Sequence, residues 1–229
     1  MPHKNITDVF FDLDHTLWDF DKNSALAFKR VFFKHNINLS LDEFLPVYEP
    51  INLEYWRKFR EDRVSKLELR RGRLTDAFEK FNLHFETATI DAVAQTYIDE
   101  LPGDNHLFSD AISVLDYLAS RYKLHIITNG FEEVQHLKLL NSGIKKYFST
   151  VTTSEETGLK KPHPIIFESA LTKASVSSVN SMMIGDSFEA DIIGAQNVGM
   201  HTLFFNYRKQ RVPDTYLGIY KLSEIKQYL

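Results

Sequence analysis

The 229-residue chain contains no cysteine, which excludes disulfides, thiolate metal ligands and a thiol nucleophile. That fits a reducing compartment, so a cytoplasmic location is the expectation. No stretch approaches the roughly 18 continuous apolar residues of a membrane-spanning helix. The first strand-like run begins at Ile6, too early for a charged, apolar and cleavable leader ahead of it. Positive charge is not in excess either: 27 Lys and Arg against 31 Asp and Glu give a formal net charge of −4. A nucleic-acid polymer or an anionic membrane therefore finds little to hold, and neither is expected as a partner. Internal repeats and low-complexity tracts are also missing. What remains is 43% hydrophobic residues, enough for a packed core, in a length that suits one large domain or a core with a smaller companion.

The most informative stretch is Val9-Phe10-Phe11-Asp12-Leu13-Asp14-His15-Thr16. An apolar run that stops at two carboxylates reads as a buried strand with anionic chemistry at its carboxyl end, where open α/β sheets bind ligands. Strand alternation would aim Asp12 and Asp14 to the same side, crowding two negative charges. A hard divalent cation such as Mg²⁺, which takes one or two carboxylates, water and phosphate oxygens, would relieve that crowding. Alone, an Asp-x-Asp after a strand is more often only a solvated turn.

From there to about residue 101 the pattern is helical. Asp21 is placed to cap a helix with apolar positions Ala25, Phe28 and Phe32, widened by Leu26 and Phe33. A second helix covers much of 41–61, its start blurred by Pro46 and Pro50. Ser65 and Glu68 have capping-box spacing and open a third helix with stripe Leu67, Leu74, Phe78 and Phe81; a fourth runs over 89–101. After residue 104 helices and strands alternate, with strands at 123–128, near 150–153, 181–184 and 201–205 and helices at 109–122, 132–141, 164–174 and 189–197. That rhythm predicts an α/β fold with a doubly wound parallel sheet. The expected division is a Rossmann-like core of residues 1–17 and 104–229 with an α-helical cap, 18–103, inserted after the first strand as a lid.

Three later segments put polar groups where strands end. These are Thr128-Asn129-Gly130, then Lys160-Lys161-Pro162 ahead of a helix, then Gly185-Asp186-Ser187 with Asp191 in the following turn. Taken singly, each has a structural reading of equal weight: a hydroxyl satisfying backbone, a solvated lysine, an acid favouring a helix amino terminus. In order and spacing, with Asp12-Leu13-Asp14-His15-Thr16, they resemble the four-motif signature of the haloacid dehalogenase superfamily. The helical insertion resembles that family's cap, so the likeness covers essentially the whole chain.

The resemblance implies a Rossmann-like core and, residue by residue, a mechanism. Asp12 would attack phosphorus and form an aspartyl-phosphate, and Asp14 would protonate the leaving alcohol and then activate water. Mg²⁺ would be held by Asp12, the backbone carbonyl of Asp14 and Asp186. Thr128, Asn129 and Lys161 would bind the phosphoryl group, and Asp191 would orient Lys161 or a metal-bound water. Asp14 points away from the dehalogenating branch, because halide departs without a proton. The substrate is then a small phosphate monoester, chosen by the cap, where Asn52, Trp56 and Arg63 are the contact residues expected. Trp-Asp-Phe-Asp at 18–21, the Asn-x-x-x-Trp of Asn52 and Trp56, Gly72-Arg73 and Thr-Asn-Gly-Phe at 128–131 resemble the house-cleaning pyrimidine 5′-nucleotidase branch. A sugar phosphate or phosphoglycolate, a phosphosugar mutase, and a non-catalytic binding protein are the competing readings. The sequence is silent on oligomeric state.

Overall fold

A computed structural model describes residues 5–229; residues 1–4, at the start of the expected core, lie outside the described residues. The chain forms two compact units, one running up to Phe20 and resuming over Asn105–Leu229, the other spanning Asp21–Asp104. Trp18, which falls on the cap side of the expected boundary, belongs to the first unit. It is fully buried and bridges both the turn at Asp14 and the returning chain at Leu107.

The first unit is built on a six-stranded sheet. Its strands are β1 (Asp8–Phe11), β2 (Lys123–Thr128), β3 (Phe148–Thr153), β4 (Ser181–Gly185), β5 (His201–Phe205) and β6 (Gly218–Ile219), in the order β3-β2-β1-β4-β5-β6. Every pairing is parallel. The winding starts at β1, runs outward to β3 and restarts at β4 on the other side of β1, so the switch point lies at the carboxyl ends of β1 and β4. All four residues of β1 are buried, as a strand covered on both faces requires. One face packs Phe10, Ile127 and Met183 against Ile166, Phe167 and Ala170 of a helix, Pro164–Ala174. At the opposite end of the strands His125 ties three of them: its ring nitrogens meet Asp8 Oδ1 at 2.9 Å and Thr150 Oγ1 at 2.8 Å.

The second unit is all helical: α1 (Phe20–Lys34, entered from the first unit), α2 (Leu41–Arg60), α3 (Lys66–Glu79) and α4 (Thr87–Glu100). Helix α1 starts at Phe20, so Asp21, expected to cap it, is instead the second residue of its first turn. Helix α2 runs unbroken through Pro46 and Pro50. Both prolines are exposed, opposite the buried Phe44, Tyr48 and Asn52, so the carbonyls they leave unpaired turn to water. The Ser65–Glu68 capping box forms in both directions. Two residues expected in apolar stripes lie outside: Phe33 is 84% and Leu67 56% exposed. The inward face of α3 keeps Leu74 and Phe78 of the expected stripe and is completed by Leu69, Arg73 and Ala77. Phe28 is the centre of an aromatic core, stacked on Tyr97 at 4.4 Å with Phe44 and Tyr48 edge-on. Among the described residues no helix is long and apolar enough to cross a membrane.

After the expected strands come two pieces that periodicity does not reveal, the two-residue β6 and a closing 3₁₀ turn, Leu222–Gln227. The helix expected at 189–197 begins as a π-helical turn, Phe188–Ile193, before an α-helical turn, Gly194–Asn197.

Candidate active site

Four segments of the first unit converge at the carboxyl ends of β1, β2 and β4. β1 ends at Phe11, so Asp12 and Asp14 lie beyond the strand and simple alternation does not govern them. Asp12 stays in the sheet's register through its N–H, which donates to Ile184 O at 2.9 Å. The chain then turns tightly: Trp18 N donates to Leu13 O and His15 N to Trp18 O, with His15 at a positive φ of 62°. Among the described residues, none of the turn's backbone bonds uses the carbonyl of Asp14.

The turn separates the two carboxylates by partner. Asp12, 7% exposed, accepts from Lys161 Nζ at 2.6 Å and from Thr16 Oγ1 at 3.4 Å. Asp14 accepts from Lys138 Nζ at 2.6 Å and Gln135 Nε2 at 3.0 Å. Lys138 and Gln135 are on the helix after β2, Glu132–Asn141, and both are buried. Lys138 Nζ also lies 4.3 Å from the Trp18 ring centroid. Sequence reasoning missed both residues, although at i and i+3 they share the inward side of the helix with Val134 and Leu139.

Lys161 carries the strongest network. Besides Asp12 it donates to Asp191 Oδ1 at 2.6 Å and to Ile127 O at 2.8 Å, which spends all three ammonium protons. Asp191 Oδ2 accepts from Ser187 N at 3.0 Å, so both of its oxygens are engaged as a brace. A Cβ on Gly185 would stand 2.2 Å from that carboxylate, which is why β4 must end in glycine here. Asn129 holds the lysine loop: its Nδ2 donates to Lys161 O and its Oδ1 accepts from Lys161 N, at 2.9 and 2.8 Å. Its amide is thus spent on positioning the lysine. Thr128 Oγ1 accepts from Gln135 Nε2 at 2.6 Å and Gly130 N at 3.1 Å, leaving the hydroxyl proton to donate outward. Gln135 can cross to Thr128 only because Gly130 has no side chain, a Cβ there meeting its amide carbon at 2.4 Å.

Negative charge dominates what is left. One carboxylate oxygen from each of Asp12, Asp186 and Asp191 lies within 4.8 Å of the others. Burial pushes the Asp12 carboxyl up to about 7, against the pull of Lys161 and with the push of Asp191. Burial, with Asp12 and Asp191 adding to it, carries Asp186 well above the usual carboxylate range. Lys161 is raised: burial works against its charge, and Asp12 and Asp191 outweigh it. This set has more anionic oxygen than cation, and a hard divalent ion fits it. Both Asp191 oxygens accept hydrogen bonds, at 2.6 and 3.0 Å, whereas one Asp12 oxygen has only the long contact to Thr16, and among the described residues the turn leaves the carbonyl of Asp14 unengaged.

In the helical unit the three expected contact residues differ. Asn52 is buried and accepts from Arg73 Nη1 at 2.8 Å. Trp56 packs edge-on against Phe59 at 5.7 Å. Arg63 is exposed and pairs with Glu61 at 3.0 Å.

Residues 9–205 match the family model of haloacid dehalogenase-like hydrolases. The chain belongs to that family. It is 30% identical to Pyrimidine 5′-nucleotidase YjjG of Escherichia coli, over 96% of this chain and 94% of that one. It is 32% identical to Pyrimidine 5′-nucleotidase PynA of Streptococcus pneumoniae, over 86% and 83%. Among solved structures it is similar to the HAD-hydrolase YfnB of Bacillus subtilis bound to magnesium, with a TM-score of 0.89, 28% identity and coverage of 97% and 98%. The doubly wound parallel sheet and the hydrolase class expected from the motifs are those of the family.

Proposed function

We propose that this hydrolase is a Mg²⁺-dependent phosphomonoesterase that works through an aspartyl-phosphate on Asp12, with a pyrimidine nucleoside 5′-monophosphate as its preferred substrate. The observation that carries the reading is the separation of the two carboxylates, Asp12 on Lys161 and Asp14 on Lys138 and Gln135. Two acids with different partners suit two roles. A carboxylate oxygen of Asp12 attacks phosphorus as the ester P–O bond breaks, and Asp14 delivers a proton to the departing alkoxide. Asp14 then takes a proton from water, which attacks phosphorus, breaks the bond to Asp12 and frees phosphate. Lys161 offsets charge on the nucleophile and the transferring group, and Thr128 donates its free hydroxyl proton to a phosphoryl oxygen. Asn129 and Asp191 hold Lys161 in place. Asp12, Asp186 and the Asp14 carbonyl would hold Mg²⁺, which supplies positive charge so that two anions can meet.

Asp14 argues for phosphate over halide, since an acid is needed only where the leaving group must be protonated. Pyrimidine nucleotides are favoured because YjjG and PynA, each similar over most of the chain, are named pyrimidine 5′-nucleotidases. The leaving group is assigned to Asn52 and Trp56 of the helical unit; Arg63, turned to Glu61, has the weakest claim of the three. The test is phosphate release with Mg²⁺ from UMP, CMP, dTMP, AMP, hexose phosphates and 2-phosphoglycolate. Preference for the pyrimidine nucleotides is expected. A flat or sugar-centred profile removes the nucleotidase assignment, isomerised hexose phosphate with little free phosphate indicates a mutase, and no release from any ester removes the enzyme reading.

A further inference from the structure

Arg73 is the arginine of the helical unit with the least access to water, 2% exposed. Its neighbours in sequence and space show what arginines there ordinarily do. Arg30 pairs with Glu100 and Asp104, Arg57 with Glu54 and Glu61, Arg63 with Glu61, and Arg71 with Asp91. All of those are far better hydrated. Arg73 has no carboxylate partner among the described residues. The one hydrogen bond its guanidinium makes there is from Nη1 to Asn52 Oδ1 at 2.8 Å, and Nε is buried with no acceptor. The face of Tyr97, 5.2 Å from the guanidinium carbon, is its other support.

A buried guanidinium that makes a single hydrogen bond is costly to the fold unless something completes it. The protein's own acceptors nearby are already committed. Asn52 Oδ1 takes Arg73 and also the Tyr48 hydroxyl at 3.4 Å, and the Tyr97 hydroxyl is paired with Ser24 Oγ at 2.8 Å. What the cluster has to offer is donors: the guanidinium fork of Arg73 and the Nδ2 of Asn52, beside the rings of Tyr48 and Tyr97. The missing partner is an acceptor.

We infer that Arg73 and Asn52 form a ligand subsite of the helical unit that binds an oxygen-acceptor edge of the substrate's leaving group. The shared chemistry is one or two carbonyl or carboxylate oxygens facing a planar cationic fork. A pyrimidine base supplies it through a ring carbonyl and a small acid through its carboxylate; adenine has no such oxygen. The inference rests on the phosphomonoesterase reading for the word substrate, and on the helical unit alone for the subsite.

The experiment is calorimetric binding of UMP, AMP, 2-phosphoglycolate and inorganic phosphate, with Mg²⁺, to the Asp12→Asn protein, so that turnover does not intrude. Arg73→Lys, Arg73→Met and Asn52→Asp are then each added to it. The informative quantity is affinity relative to inorganic phosphate. UMP or 2-phosphoglycolate is expected to bind at least about tenfold tighter than inorganic phosphate, and whichever does so identifies carbonyl or carboxylate as the source. Arg73→Met and Asn52→Asp should bring that ratio close to one, and Arg73→Lys, a point charge without the fork, should leave it intermediate. Asn52→Asp is nearly isosteric and gives Arg73 a counter-ion, so its fold, followed by thermal unfolding, should hold even if Arg73→Met fails to fold. An unchanged ratio in a folded Asn52→Asp protein overturns the subsite, as does a starting protein that prefers neither ester to phosphate. Phosphate release by the unmutated enzyme is measured separately: its absence beside an intact binding ratio sinks the enzyme reading and leaves the subsite standing.

Discussion

Lys161 in the sheet unit and Arg73 in the helical unit are both almost wholly buried, at 1% and 2% exposure, yet they are kept in opposite ways. Lys161 spends every ammonium proton on two carboxylates and a carbonyl. Arg73 spends one donor on an amide and has no carboxylate. A saturated buried cation is fixed before anything binds, and its surroundings pay for it in matched charge. An unsaturated one leaves its completion to a ligand. On the proposed function, the difference would separate a part of the molecule that meets one invariant group, the phosphoryl, from a part that chooses among leaving groups.

The largest expected effect falls on the saturated side. Asp12→Asn keeps the shape of the nucleophile and removes its negative charge, so phosphate release should drop by on the order of 10³-fold or more. Its melting temperature should hold or rise, because burial already works against charge on Asp12. Turnover near the wild-type rate would falsify the nucleophile role. Lys161→Met comes next. It strands Asp12 and Asp191 without their cation and should cost roughly 3–5 kcal/mol of stability, read by denaturant unfolding, together with about 10²-fold or more in turnover. Arg73→Met sharpens the contrast because it strands no carboxylate. Its stability should hold or rise, by up to a few kcal/mol, as expected when an unpaired buried charge gives way to an apolar chain of similar length. Equal losses for the two substitutions would erase the distinction between them.

The saturated site was far more legible in the sequence than the unsaturated one, for a physical reason. Asp12, Thr128, Lys161 and Asp186 stand at strand ends or at the loop before a helix, where chain order alone fixes which groups meet. The strands at 123–128 and 201–205 and the helices at 132–141 and 164–174 fall where periodicity puts them. Periodicity places a residue on a face only as well as the face is known. Leu74 and Phe78 lie on the inward face of α3 as their spacing predicts, but Leu67 does not, and nothing in the spacing marks a charged residue such as Arg73 as inward. Gln135 and Lys138 were hidden because their partner, Asp14, is far away in sequence. The role of Asn129 was half visible: the amide at the strand end is there, but it faces the backbone of Lys161.

Lys138 tests how far saturation extends towards the second carboxylate. Lys138→Met leaves Asp14 with Gln135 alone, and turnover should fall by about tenfold with little change in KM, since phosphate is held elsewhere. Partial recovery in Lys138→Arg, which restores the charge, is expected if the lysine steadies Asp14; no difference between the two variants would reduce Lys138 to core packing beside Trp18.

The smallest effect concerns a third buried group, one that settles the same problem by staying uncharged. Burial lowers the His125 pKa below its ordinary value near 6.5, with Asp8 opposing but not reversing the shift. Below about pH 6.5 the unfolded chain therefore takes up a proton that the folded chain resists. Because the unfolded state binds more protons there, stability falls as pH drops through this window and is fully present above it. His125→Gln removes the titration and keeps a polar side chain between Asp8 and Thr150. Its unfolding free energy, set against that of the parent from pH 7 down to about 5, should fall less steeply. Parallel slopes would mean that His125 takes up its proton as readily in the fold as in the unfolded chain, and a parent that falls less steeply than the variant would mean that the ends of β1 and β2 hold an ion pair with Asp8 rather than a neutral tie.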